Sequence, residues 1–247
     1  MTTFKPPTEW TPPDVFPTEL LVNAKEVAID TETRDPNLKE KGPGYIRGDG
    51  EIVGISFACD GFEGYFPFAH ESGFNFPKNK VISFAKKVCA SNSDKIFHNA
   101  SYDMGWLGSE GIKVNGRIID TMVVAPLIDE NQYWYTLNAL GREYVNEGKT
   151  EAELNAAAEE WGLDPKAEMW RLPSAYVGTY ATQDAALTLK LWEHFKVKLE
   201  EQNLWNIFDL EMEVLPVVMA MKERGIRVDL EGADRIKKDL IKQEKNL

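Results

Sequence analysis

The stretch "EVAIDTET", residues 26–33, decides how this chain is read. A short run carrying valine, isoleucine and threonine, followed by a glycine- and charge-rich segment, predicts a β-strand. Strand alternation puts Ala28, Asp30 and Glu32 on one face and Val27, Ile29 and Thr31 on the other. Two carboxylates therefore point the same way, near enough to share a cation. A solvated strand end would explain two such acids equally well, so the pattern needs support from other segments.

Working outward, "RDPNLKEKGPGYIRGDG" (34–50) is a long connection, and "EIVGISFAC" with "GYFPFA" predicts a hairpin around "DGFEG". "KNKVISFAKKVCAS" has helical spacing, with Val81, Phe84, Ala85 and Val88 on one side. "DKIFHN" predicts a short strand, "SYDMGWLGSEG" a short helix closed by Gly111, and "GRIIDT" a further strand. Beyond it the chain reads as helix: "TMVVAPLI", "TLNALGREYV", "TEAELNAAAEEWG", 174–201 and "IFDLEMEVLPVVMAMKERG". Three antiparallel strands, then two joined through helices, predict an α/β fold with a mixed sheet flanked by helices. Residues 1–21, rich in proline, are expected as an extended arm. The segment 204–247 is expected as a helical extension whose apolar Ile236, Leu240 and Ile241 have no evident cover.

The chain has 247 residues and is 43% hydrophobic, enough for a sizeable core, and no apolar run is long enough to span a membrane. Its two cysteines, Cys59 and Cys89, sit in apolar segments without metal-type spacing, which suits buried free thiols in a reducing cytoplasm. Net charge is −12, with 28 basic against 40 acidic residues. That disfavours a protein held on nucleic acid by a broad basic surface. An enzyme making few, metal-assisted contacts is still compatible with it.

The third and fourth acids come from helices. In "HNASYDMGWLGSEG", Asp103 shares a face with Trp106 and Leu107. In "SAYVGTYATQDAALTLKLWEHF" (174–195), Val177, Tyr180, Ala181, Leu187, Leu191 and Phe195 form an apolar stripe, and Asp184 lies in it. A carboxylate there needs a charged partner, a proton or water. Alone, Asp103 fits an N-terminal helix-dipole contact and Asp184 a buried hydrogen bond or ion pair. Together, Asp30, Glu32, Asp103 and Asp184 repel one another unless cations intervene, and no excess of lysine or arginine accompanies them. A hard divalent ion is the simplest remedy, and no histidine or cysteine set competes for the role. With one acid bridging, four carboxylates suit a pair of ions about 3.5–4 Å apart.

"DTE" in a strand, "HNASYD" as N-x-x-x-D and "YATQD" as Y-x-x-x-D, in that order, resemble the three motifs of the DEDD 3′–5′ exonucleases, tyrosine branch. The resemblance covers residues 22–203 and implies a ribonuclease-H-like, five-stranded mixed sheet. "LEMEVLPVVMAMKERGIRVD" (210–229) resembles the segment joining the proofreading domain of family A DNA polymerases to the polymerase thumb. "IIDTMVVAPLI" and "TLNALGREYV" are similar to stretches of those domains. The chain thus resembles an N-terminal part of such a polymerase without palm or fingers.

The resemblance implies that Asp30, Glu32 and Asp184 ligate one Mg2+ or Mn2+ ion, while Asp30 bridges to a second held by Asp103. Tyr180 is implied to orient the attacking water. Asn99 and His98 occupy the position that contacts the terminal nucleotide in similar enzymes. Thr33 and Leu38 are candidates for touching its base and sugar, and Tyr102 lies near that strand end or in the core. In "NQYWYT" (131–136), where similar polymerases often carry a basic residue, aromatics stand, fit either to stack unpaired bases or to join the core. The implied partners are a frayed single-stranded DNA 3′ end and a polymerase domain, in cis or as a separate chain. The rivals are an RNA-trimming, ribonuclease D-like exonuclease and a non-catalytic domain that stabilises a polymerase.

Overall fold

The computed structural model describes residues 8–245. The elements are α1 (Thr18–Asn23), β1 (Glu26–Arg34), α2 (Leu38–Lys41), α3 (Gly44–Arg47), β2 (Glu51–Cys59), β3 (Phe62–Pro67), α4 (Lys78–Ala90) and β4 (Asp94–Phe97). They continue with α5 (Ala100–Ser109), β5 (Ile118–Asp120), α6 (Thr121–Ile128), α7 (Leu137–Tyr144), α8 (Ala152–Trp161), α9 (Ser174–Glu201), α10 (Trp205–Arg224) and α11 (Leu230–Glu244). Residues up to Leu215 form one compact unit and residues from Pro216 onward a second. No helix among the described residues is long and apolar enough to cross a membrane.

The five strands lie in the order β3-β2-β1-β4-β5. β1, β2 and β3 pair antiparallel, whereas β4 and β5 join parallel through helical crossovers. This is the α/β mixed sheet that the order of patterns predicts, with the ribonuclease-H-like arrangement that the resemblance implies. β1 is central and covered on both faces. Val27 and Ile29 pack with α4 and α5, and Ala28 packs with α6 and α9. Between Glu32 and Thr33 the register slips by one residue of β2, so that Glu32 faces Gly54 and Thr33 faces Ile52. The skipped Val53 offers its carbonyl to the Phe68 and Ala69 amides. A bulge here increases the local twist beside the acids.

One core layer is aromatic. Phe66 lies between Phe16, Phe57 and Phe84, with ring centroids 4.9–6.1 Å apart. Each such buried ring contributes about 2–3 kcal/mol through area removed from water. α9, 28 residues and thus about 42 Å long, spans the other face of the sheet. All six apolar stripe residues expected on it are buried.

Two local differences from the sequence reading have simple causes. The 34–50 connection contains the one-turn helices α2 and α3, each closed by a positive-φ glycine, Gly42 and Gly48. In the proline-rich start, residues 8–17 are neither helix nor strand, but α1 begins at Thr18, where the prolines end and Leu21 can be buried. Trp10 lies against α9 at Gly178, where any Cβ would overlap the indole. Residues 1–7 of the expected arm lie outside the described residues. Cys59 and Cys89 are buried free thiols.

Candidate active site

β1 carries Asp30 and Glu32 to the middle of the sheet, and α9 brings Asp184 against them. One carboxylate oxygen from each of the three lies within 4.8 Å of the others. Glu32 and Asp184 are buried, Asp30 half-buried. Burial comes first in raising all three. Asp30, with Asp184 adding its repulsion, is pushed up to about 7. Glu32 is pushed well above the usual carboxylate range by burial, then by Asp30 and Asp184. Burial also raises Asp184, although Lys149, Tyr180 and Lys166 pull it back.

Asp103 stands outside this group of three. It lies in the first turn of α5, buried, and its Oδ1 accepts the Thr31 backbone N–H at 2.9 Å and the Thr31 hydroxyl at 2.7 Å. Thr31 belongs to the other face of β1 from Asp30 and Glu32, so Asp103 approaches the strand from the α5 side. Burial and then the charge of Asp30 raise it well above its ordinary range. All three contributing segments therefore meet around β1.

The sequence shows no excess of lysine or arginine beside the acids, but the fold brings one lysine into contact with them. Lys149, from the connection between α7 and α8, places Nζ 2.5 Å from Asp184 Oδ2 and 3.2 Å from the Tyr180 hydroxyl. It answers what an acid does in an apolar stripe: Asp184 is ion-paired across the fold. A second cation, Lys166, sits over the Tyr180 ring at 4.1 Å from its centroid. Lys149 lies in a polar stretch, "NEGKTEAE", with no motif to mark it. The only signal was the unbalanced charge itself. Burial lowers the Lys149 ammonium, but Asp184, Asp30 and Glu32 together hold it above its ordinary value.

Even so, Asp184 Oδ1 is buried without a hydrogen-bond partner. An unpartnered carboxylate oxygen, three clustered acids raised by burial, two of them also by a neighbouring carboxylate, and a donor set of oxygens alone fit a hard divalent cation. The residues present suit that group.

The remaining candidates flank the cluster. Asn99, just past β4, begins the crossover to β5 in the left-handed region, φ 77°, at the N-terminus of α5. Asp120, which the sequence reading missed, accepts the Asn99, Ala100 and Met122 amides at 2.9, 2.8 and 3.0 Å, capping α5 and α6 together. His98 bonds Thr121 Oγ1 through Nδ1 at 2.9 Å, and burial followed by the Lys149 charge pushes it down to about 4, so it is neutral. Thr33 Oγ1 and the Tyr102 hydroxyl, both expected near substrate, hydrogen-bond each other at 2.7 Å. Leu38 begins α2 and is 40% exposed. Trp134 is 65% exposed and Tyr133 88%, which removes the core alternative for these two, whereas Tyr135 packs against the core.

The class to which this sheet and its acidic cluster belong is shown by comparison with known families. A family model described as 3′–5′ exonuclease, the exonuclease domain of family A DNA polymerases, matches residues 18–200, and the chain belongs to that family. It is 36% identical to a DNA-directed DNA polymerase of Pseudomonas phage M6, across 96% of this chain and 36% of that protein. The chain thus spans about a third of the length of that relative. Among solved structures, the POL domain of Pol1 from M. smegmatis superposes with a TM-score of 0.67 at 15% identity, covering 96% of this chain and 35% of the other. Escherichia coli RNase D, an exoribonuclease involved in structured RNA processing, superposes at 0.56 and 16%, covering 85% and 48%. At such identities the superpositions show a shared fold.

Proposed function

We propose that this domain removes nucleotides from DNA 3′ ends as the proofreading part of a family A DNA polymerase. The observation that carries the reading is the trio of carboxylate oxygens within 4.8 Å of one another in a family of 3′–5′ exonucleases. Asp30, Glu32 and Asp184 would hold one divalent ion; Asp103 would hold a second, with Asp30 shared. Mg2+ or Mn2+ suits oxygen donors, and such ions supply a lowered water pKa and neutralise charge on phosphate when bound.

The chain's own groups then do the following. Tyr180 receives a hydrogen bond from Lys149 and interacts with Asp184, which would hold its hydroxyl beside the carboxylates to orient the attacking water. The water oxygen bonds to phosphorus as the bond to the neighbouring 3′ oxygen breaks. That oxygen takes up a proton, and a nucleoside 5′-monophosphate leaves. Asn99 and His98, at the end of β4, together with Thr33, Tyr102 and Leu38, would surround the terminal nucleotide. The exposed Tyr133–Trp134 pair, centroids 5.7 Å apart, offers faces on which unpaired bases can stack.

Net charge −12 accords with weak, salt-sensitive binding by a domain that receives its substrate from an attached polymerase, in cis or as a separate chain. The buried thiols accord with a cytoplasmic setting. Incubation with Mg2+ and matched single-stranded DNA and RNA tests the proposal. Stepwise shortening of DNA, at least tenfold faster than of RNA, is expected. Preference for RNA would favour the ribonuclease D-like reading, and trimming of neither would favour a non-catalytic domain.

A further inference from the structure

Lys149 reaches the acids from a segment that is neither helix nor strand, yet its backbone is tied down on both sides. The Lys149 amide donates to Asn138 Oδ1 of α7 at 3.0 Å, and the Thr150 amide donates to Gln183 Oε1 of α9. Gln183 Nε2 returns a bond to the Gly148 carbonyl at 3.0 Å. Gln183 immediately precedes Asp184, so the loop is fastened beside the residue it serves. The Lys149 side chain is 14% exposed and that of Asp184 4%. This pair differs from a surface ion pair, in which two mobile side chains meet in water for little gain.

The geometry also divides labour at Asp184. Oδ2 is taken by Lys149, whereas Oδ1 is buried and unpartnered. An ammonium on one oxygen fixes the carboxylate's rotation and leaves the other available to a cation. The second Lys149 N–H goes to the Tyr180 hydroxyl, which therefore serves as acceptor on that side. Lys149 also lies 4.8 Å from the centroid of the Tyr180 ring. Lys166, held by Glu151 at 2.7 Å, lies over the same ring.

We propose that Lys149 is a positioning residue of this exonuclease site: it balances the carboxylates when no metal is bound, and it orients Asp184 and Tyr180 for the reaction. The inference rests on the metal-dependent reading above. A single positive charge beside a site for a divalent ion repels that ion. Lys149 therefore costs some metal affinity while securing the geometry of the two groups it bonds.

The test compares Lys149→Met and Lys149→Arg with the unaltered chain. Mn2+ binding is measured by calorimetry, thermal unfolding in chelator, and kcat and KM on single-stranded DNA. Lys149→Met is expected to unfold at lower temperature in chelator and to bind Mn2+ at least about tenfold more tightly, because the repelling charge is gone. Its kcat should fall roughly 10–100-fold with KM little changed. Lys149→Arg, which keeps the charge, should stay within about threefold in Mn2+ affinity and recover part of kcat. Unchanged Mn2+ affinity and kcat in Lys149→Met would overturn the inference, as would weaker Mn2+ binding. Should Lys149→Met fail to fold, Lys149→Arg with Mn2+ affinity shifted more than tenfold would overturn it on its own. If the unaltered chain binds no Mn2+, the metal-dependent reading itself fails, a result distinct from either.

Discussion

Lys149 Nζ stands 2.5 Å from Asp184 Oδ2, joining residues 35 positions apart in sequence inside a pocket that also holds Asp30 and Glu32. Lys149 and, less strongly, Lys166 face three clustered carboxylates, which leaves the pocket short of positive charge. That shortage governs stability, metal affinity and catalysis alike.

Stability without metal should fall as pH rises past neutrality. Asp30 is pushed up to about 7 from an ordinary value near 4, and Glu32, Asp103 and Asp184 are raised as well. A carboxyl raised on folding contributes stability that is fully present below its ordinary pKa and is lost as pH climbs through the raised one. His98 and His70, both pushed down to about 4 by burial, act in the opposite sense up to the ordinary histidine pKa near 6.5, so the carboxyls show above it. In chelator, the melting temperature should drop between about pH 7 and pH 9 as Asp30 and the more strongly raised groups ionise. Glu32→Gln should flatten this decline. Added Mg2+ should stabilise more at pH 8 than at pH 5. A melting temperature in chelator that rises over this interval would contradict the account.

Tyr180→Phe removes a hydroxyl and leaves the ring on which Lys149 and Lys166 rest. The variant should fold with a nearly unchanged melting temperature, and kcat should fall roughly 100-fold at constant KM. Steady-state kinetics on single-stranded DNA check this. An increase in KM alone would assign Tyr180 to substrate binding.

Asp120→Ala strips the acceptor from three backbone amides at the starts of α5 and α6. The cost should be about 3 kcal/mol, or a loss of roughly 6–12 °C in melting temperature. Trimming should slow too, because α5 carries Asp103. Asp120→Asn should recover part of both. A change below 1 °C in thermal unfolding of Asp120→Ala would refute the capping role.

Tyr133→Ala combined with Trp134→Ala removes two exposed rings that contribute little to the core. Thermal stability should hold, and single-stranded DNA affinity, measured by fluorescence anisotropy in chelator, should weaken roughly 10-fold or more. Equal affinity in the double variant would exclude base stacking there.

The parts legible in sequence are those with local periodicity. β1, the β2–β3 hairpin and the stripe on α9 all announce themselves through spacing at 2 or 3.6 residues, and the three acids on them follow from the same spacing. Lys149 was invisible because its place depends on the path of a loop fastened through Asn138 and Gln183, neither of which belongs to a pattern. Asp103 was found as a residue, but its bond to Thr31 across the strand is a tertiary fact. Asp120 looked like the end of a strand; its capping role appears only once β4 and β5 lie side by side. The sequence offers Thr33 as a candidate for touching a nucleotide and Tyr102 as lying near that strand end or in the core; their mutual hydrogen bond depends on how α5 leans on β1.

The most direct measurement is a time course on 5′-labelled single-stranded DNA with Mg2+, comparing the unaltered chain, the chain in chelator, and Asp30→Ala. The account predicts a ladder shortening one nucleotide at a time for the first, and a rate at least about 1,000-fold lower for the other two. Trimming that survives in chelator or in Asp30→Ala would contradict it.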